Sequence, residues 1–341
     1  MPVIQHLIAD QFGSHIGKHS KRLRVTAQGE KLLEAPLLHL EAVLITSRGV
    51  SISADALQAC AEEGIPVFFL DSLGRPYASL YAAGLTGTVQ TRRAQLLAYH
   101  NELGCAVAVA FARGKIHNQT TTLKYFAKNR KESDPELYEE LRLSAGEVND
   151  HQAWLDAIPL TSVDEARQAI LTAEAHAARR YWNAVGWLVP PEYEWPGRQT
   201  RGALDPINSA LNYGYGILYG QIERAVVLAG LDPYAGFIHA DRPGKPSLVL
   251  DLIEEFRQVA VDRVIVGLAT RQTNIEQDGR GRLTKETRRM LAEHVLNRLE
   301  TPLRYEKKRV PLRHIIQSQA RHLATFLRGE REAYEPFRAG W

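Results

Sequence analysis

The sequence predicts an α+β protein in which a small β-rich amino-terminal domain precedes a larger all-α domain. Three observations carry this expectation. Period-two alternation and turn signals fill the first 85 or so residues, and apolar recurrence at every third or fourth position dominates the rest. A chain of 341 residues also exceeds the roughly 250 at which single cores tend to split. Hydrophobic and charged contents of 45% and 24% are those of a folded globular protein and exclude disordered or collagen-like classes.

Taken in order, PVIQHLI, RLRVTA, KLLEAP, AVLIT and IPVFFLD read as short strands separated by the turn signals AQGE, SRG and DSLGRP. Alternation in RLRVTA and KLLEAP predicts half-exposed strands, whereas IPVFFLD is apolar enough for burial on both faces. One helix interrupts them, capped by Ser53, with Asp55 near its amino end and a stop at Gly64. Gly84 and Gly87 in GLTGTVQ mark a linker, which gives a β-rich domain at 1–85, a connection at 86–93 and a helical domain at 94–341. Helical periods then run through 92–114, 134–148, 162–188, 206–230, 245–268 and 283–299. Asp134-Pro135, Asp205-Pro206 and Asp232-Pro233 mark helix starts or turns.

Cys60 and Cys105 sit in unrelated contexts and read as buried small hydrophobes, neither a disulfide nor a zinc pair. No apolar run approaches the roughly 18 residues that span a bilayer, and MPVIQHLIADQFGSH has no basic n-region or long h-region, so a cytoplasmic protein is expected. The net charge is only +3, but residues 271–341 hold sixteen lysines and arginines against nine acids. Such a segment is either a face that meets a polyanion or a solvated helical surface.

The chemistry concentrates in GFIHADRPGKPSLVLDLIEEFR, residues 236–257. Asp251 and Glu254, three apart, share one face of a helix, with Glu255 close by and Arg257 available as an ion-pair partner. His239 ends an apolar segment, and the Pro/Gly-rich turn after it can fold the imidazole back over the acids. Glu174 lies among alanines and aliphatics in ILTAEAHAARRYW, where an unpaired carboxylate would cost several kcal/mol, so it needs an Arg, a Lys or a metal ion. Arg179 and Arg180 are poorly placed for it on the same helix, and His176 is on another face. Carboxylates with one imidazole suit Mn²⁺ or Mg²⁺ and divalent-metal phosphodiester chemistry; the histidine favours Mn²⁺, and neither a structural zinc set nor HExxH is present.

ILTAEAHAARRYW, NSALNYGYGILYG and GLDPYAGFIHADRPGKPSLVLDLIEEFR, in that order, resemble the CRISPR-associated spacer-acquisition integrase family, the universal adaptation endonuclease of those systems. The resemblance extends over essentially the whole chain and implies Glu174, His239 and Glu254 as metal ligands, with Asp251 supporting the metal or the DNA. It places Tyr219 near the catalytic centre and Asn212 in the NYGY block; helix packing explains both equally well. Two positions depart from the pattern: Ala175 where a glycine often follows the glutamate, and Gln258 where a proline is expected after EEFR. Gln258 restores a backbone N–H and predicts a helix running smoothly onward.

The implied reaction is attack by the 3′-hydroxyl of a short DNA fragment on a phosphodiester of a repeat, with nuclease action on branched DNA as its reversal or hydrolytic variant. The resemblance also implies a homodimer formed through the β-rich domain and a small ferredoxin-like CRISPR-associated partner. Arg242, Lys245, Arg257 and Arg263 are candidate phosphate contacts, for each of which surface ion pairing is an equal explanation. Two other readings fit the same residues: a non-catalytic nucleic-acid scaffold with a basic helical surface, and a metal-dependent hydrolase of a small phosphate ester.

Overall fold

Alternation along the amino-terminal strands gives each of them two usable faces, and they assemble into two four-stranded sheets. A computed structural model describes residues 6–40, 42–71, 74–80, 89–200 and 202–340. One sheet orders β1 (His6–Ala9), β5 (Ala42–Ile45), β7 (Val67–Leu70) and β8 (Pro76–Leu80), parallel except for the β7–β8 pair. The other orders β4 (Glu30–Pro36), β3 (Arg22–Ala27), β2 (His15–His19) and β6 (Ser51–Ile52). Helix α1 (Ala54–Glu62) starts where Ser53 Oγ accepts the Ala56 N–H at 3.2 Å, as its sequence predicts.

Leu7, Val43, Ile45 and Val67 face a core shared with Ile16, Leu23 and Val25 of the second sheet and with Ala59 and Cys60 of α1. Their neighbours Ala42, Leu44, Phe68 and Leu70 belong instead to the helical core. The β5–β7 ribbon is therefore buried on both sides, which is why IPVFFLD is continuously apolar. Both cysteines are free and buried, and burial pushes the Cys60 thiol up to about 11.

The helical region comprises α2 (Val89–Ala98), α3 (Glu102–Lys128), α4 (Pro135–Asp150), α5 (Gln152–Asp156), α6 (Val163–Gly186), α7 (Pro206–Leu228), α8 (Ser247–Leu252), α9 (Arg263–Ala269), α10 (Lys285–Glu300) and α11 (Leu312–Leu327). Asp134 and Asp205 cap α4 and α7 ahead of Pro135 and Pro206, the arrangement the Asp-Pro pairs predict. The Ala- and Gly-rich α3 is buried along most of its length and packs against α4 and α6. No helix among the described residues is long and apolar enough to cross a membrane.

Several expectations need correction. Residues 89–93, assigned to the linker, are the first turn of α2; Gly84 and Gly87, like residues 2–5 of the first expected strand, lie outside the described residues. The period over 92–114 is interrupted between α2 and α3, where Asn101 caps the second helix. The all-α assignment misses the hairpin of β9 (Pro302–Tyr305) and β10 (Lys308–Pro311). The helix does not run smoothly through Gln258: α8 passes into a 3-10 turn at Ile253–Glu255, and a π turn occupies Gln258–Asp262 before α9.

Candidate metal centre

The turn after His239 reverses the chain, with Arg242 and Lys245 bridged across it, and returns α8 beneath the GFIH segment. Gly236 is required there. A Cβ on it would lie 2.7 Å from Ser247 and 2.8 Å from Asp251 Oδ2. Asp251, fully buried, accepts the N–H groups of Phe237, Ile238 and His239 at 2.5, 3.0 and 2.9 Å. Its Oδ1 also lies 2.7 Å from His239 Nδ1. The ring is thereby fixed through one nitrogen, which leaves Nε2 as its free donor or ligand atom.

The tightened turn after α8 sends three acids in three directions, so the single negative face expected of an uninterrupted helix is absent. Asp251 holds the GFIH turn. Glu255 points the other way, where Tyr334 Oη at 2.6 Å and the Phe337 N–H at 2.8 Å donate to it. Glu254 enters the space between α3 and α6. Its Oε1 lies 2.7 Å from Arg257 Nη1, and its Oε2 lies 2.7 Å from Lys115 Nζ.

Lys115 of α3 also donates to Glu174 Oε1 from α6, so one buried ammonium joins the two carboxylates. Burial alone would raise the Glu254 carboxyl, but Arg257 and Lys115 outweigh it and hold it down at about 2; His239 contributes in the same sense. For Lys115 burial opposes the charge, and Glu174 and Glu254 raise its pKa above the ordinary value despite it. Lys115 answers the sequence's demand for a Glu174 partner; Arg180 is spent on Glu147.

Glu174, Glu254 and His239 are thus brought into one neighbourhood. Among the described residues no three His, Cys, Asp or Glu side chains converge tightly enough to form a ready ligand set, because Lys115 stands between the carboxylates. The donors nonetheless fit a divalent ion. Glu174 Oε2 is buried with no hydrogen-bond donor among the described residues, and two carboxylates with an oriented imidazole are a hard, oxygen-rich set.

A second layer, missed from the sequence, backs this centre. Arg257 lies over the Tyr215 ring at 5.0 Å. Tyr215 donates to Asp262 at 2.5 Å, and Tyr181, two turns beyond Glu174 on α6, donates to the same carboxylate at 2.8 Å. Burial pushes Asp262 up to about 6 against these hydrogen bonds and the charges of Arg198 and Arg257. The π turn sets Asp262 at this position, and no motif announces it.

Other expected residues are placed differently. Tyr219 has Glu223 and Tyr234 as its charged and polar neighbours, and burial followed by Glu223 raises its pKa; the tyrosine that touches the centre's arginine is Tyr215, one turn earlier. Asn212 accepts from Arg198 at 2.8 Å. Arg257 is committed to Glu254, and Arg263 lies over the Tyr125 ring at 3.8 Å, so neither is a free surface cation. Arg242 is exposed and Lys245 half-buried in the turn. Much of the basic excess beyond residue 271 is paired, as in Arg282 with Asp278, Arg313 with Glu300 and Arg328 with Glu330.

The family described as CRISPR associated protein Cas1 matches residues 7–297. The CRISPR-associated endonuclease Cas1 1 of Archaeoglobus fulgidus is 37% identical over 346 residues, covering 98% of this chain and 99% of that protein. Among solved structures, a casposase bound to integration product matches with a TM-score of 0.82 at 22% identity, over 99% of this chain and 95% of that one. A chain of a Cas6-RT-Cas1–Cas2 complex gives 0.77 at 21% identity, over 98% of this chain and 36% of its own length. These structural likenesses speak for the fold, whereas the sequence matches span almost the entire chain, and on them the chain belongs to the CRISPR associated protein Cas1 family.

Proposed function

We propose that this chain is a metal-dependent DNA endonuclease and integrase that inserts short DNA fragments into a CRISPR array by attack of a 3′-hydroxyl on a phosphodiester. The observation that carries the reading is that one buried lysine draws Glu174 and Glu254 together beside His239, with Glu174 Oε2 left without a hydrogen-bond donor among the described residues. The 37%-identical relative named as an endonuclease supports it.

In this reading Glu174 and Glu254 hold Mg²⁺ or Mn²⁺, and His239 is the third donor through Nε2. Such an ion, when bound, polarises the phosphate and lowers the pKa of the attacking hydroxyl. Asp251 fixes the imidazole and the turn that carries it. Arg257 offsets the charge of Glu254, and Tyr215 and Asp262 hold Arg257 in place. Arg242 and Lys245, on the turn beside His239, contact the phosphate backbone. The chain acts as a homodimer through its β-rich domain, with a small ferredoxin-fold CRISPR-associated partner; the complex matched above includes Cas2 in its description.

Incubation of the protein and its small partner with a short duplex and a supercoiled plasmid tests the reading. Joining is expected with Mn²⁺ or Mg²⁺ and is lost in Glu254→Ala while circular dichroism stays native. Normal joining by that variant overturns the assignment. Mn²⁺ electron paramagnetic resonance supplies a readout independent of turnover: the bound-ion signal disappears in Glu174→Gln.

A further inference from the structure

Arg167 leaves α6 close to the face that carries Glu174, because seven residues make nearly two helical turns. Its guanidinium reaches the GFIH segment, where Nε donates to the buried Ile238 carbonyl at 3.1 Å. The other two nitrogens are also fixed. Nη1 donates to Asp164 Oδ1 at 2.6 Å and Nη2 to the Tyr99 hydroxyl at 2.5 Å, and that hydroxyl donates to the same Asp164 oxygen at 2.8 Å. The guanidinium carbon stands 5.6 Å from the centre of the Tyr99 ring. The root of the segment is held by the same stretch of chain. Gln95, buried on α2 one turn before Tyr99, donates to the carbonyls of Asp232 and Ala235 at 2.9 and 2.7 Å and accepts the Asp232 N–H at 2.8 Å.

These contacts form a frame around His239. Asp251 grips the turn through the N–H groups of Phe237, Ile238 and His239, and it stands on the element that delivers Glu254 three residues later. Arg167 grips the same stretch through a carbonyl, and it stands on the helix that delivers Glu174 seven residues later. Each carboxylate therefore shares an element with one residue that holds the backbone of the histidine. Asp251 by itself registers the ring only against Glu254; Arg167 adds the register against Glu174. Ordinary pairing along the helix surface accounts for Nη1 on Asp164, three residues earlier, but not for Nε on a backbone carbonyl 71 residues away.

We propose that Arg167 is a positioning residue for His239, holding the imidazole in register with Glu174, while Tyr99 and Asp164 hold the guanidinium. This rests on the proposed metal centre and goes beyond it by naming what sets the third donor relative to the first.

The test is pulsed electron paramagnetic resonance of Mn²⁺ added to the full chain, in which a bound imidazole appears as a nitrogen modulation. Wild type is expected to show the modulation and His239→Ala to lack it. In Arg167→Met the modulation is lost and the Mn²⁺ dissociation constant rises about tenfold, the lower end of what losing a group that orients a metal-bound histidine costs. Removing a positive charge would by itself tighten cation binding, so weaker binding has the sign of lost positioning. Tyr99→Phe keeps the ring and deletes only the hydroxyl; it moves both readings the same way by less, and it decides the case if Arg167→Met lacks a native circular dichroism spectrum. Full modulation with an unchanged dissociation constant in the deciding variant overturns the proposal. Weaker binding with the modulation intact also overturns it and makes Arg167 a support of the fold alone. No modulation in wild type overturns His239 as a ligand and this inference with it, whereas modulation that wild type and both variants share overturns this inference only.

Discussion

Asp251, Glu254 and Glu255 are near neighbours in sequence, yet each meets a different electrostatic environment. Asp251 accepts backbone N–H groups and faces an imidazole nitrogen, Glu254 faces two cations, and Glu255 faces hydrogen-bond donors with no ion-pair partner among the described residues. Lys115 decides what happens next to them. Its ammonium supplies the positive charge that Glu174 and Glu254 require when folded. Lys115→Met removes that charge and leaves two buried carboxylates facing each other, a loss of about 3–5 kcal/mol by analogy with other broken buried pairs. The expected outcome is a lower melting temperature in EDTA, recovered in large part by Mn²⁺. An unchanged melt in EDTA would mean that the lysine is not the counter-ion. Lys115 was hidden in the sequence because GKIHNQ reads as an ordinary helical stretch; the trace it leaves is a lysine flanked by Gly114 and Ile116, just after the largely small and apolar run Leu103–Ala112.

At the scale of elements, strands and helices with strong periods were legible, including α1 and the Asp-Pro starts of α4 and α7, because caps and apolar spacing are local properties. Polar strands such as β2 (HIGKH) were not, since a strand paired on both sides needs no continuous apolar face of its own. The broken helix from α8 to α9 was also illegible: its 3-10 and π turns carry no side-chain cap hydrogen bonds, and they direct Glu254, Glu255 and Asp262 to buried partners from distant parts of the chain. Helix α7 meets the β-rich region through glycines. A Cβ on Gly216 would lie 1.4 Å from the Gly74 carbonyl oxygen, and the Phe68 ring rests against Gly220. Gly216→Ala therefore forces the β7–β8 turn away from α7, at a cost of at least the roughly 1–3 kcal/mol typical of overpacking. Calorimetry should show a lowered or split transition; a wild-type trace would show that the contact yields freely.

For the whole molecule, two buried acids set a pH dependence of stability. Burial pushes Glu255 up to about 8 and Asp262 up to about 6, both above their ordinary values. The folded chain therefore holds protons that the unfolded chain has released, and stability falls as pH rises from the ordinary carboxylate range through about 6 for Asp262 and about 8 for Glu255. Glu254 acts oppositely, but only below its ordinary range, where protonation breaks its ion pairs. Melting temperature is expected to decline between about pH 5 and about pH 9, and Glu255→Gln should flatten the upper part of the decline. A rise in stability across that interval in wild type would contradict this assignment. The same carboxylate ties down the carboxy-terminal segment: Tyr334 and Phe337 donate to Glu255, and the Asn118 side chain binds Phe337 and Ala339.

The sequence by itself determined the division into a strand-rich and a helical region, the capped helices, the burial of both cysteines, and the motif blocks that gave the family and nominated Glu174, His239, Asp251 and Glu254. These follow from short-range periodicity and from residue types that a motif preserves. Only the tertiary structure decided that Lys115 stands between Glu174 and Glu254, that Asp251 holds His239, and that Tyr215 backs Arg257. Each of those contacts joins positions far apart in the chain or turns on a local departure from helical period, and side-chain direction there is set by packing and by the need to pair buried charge.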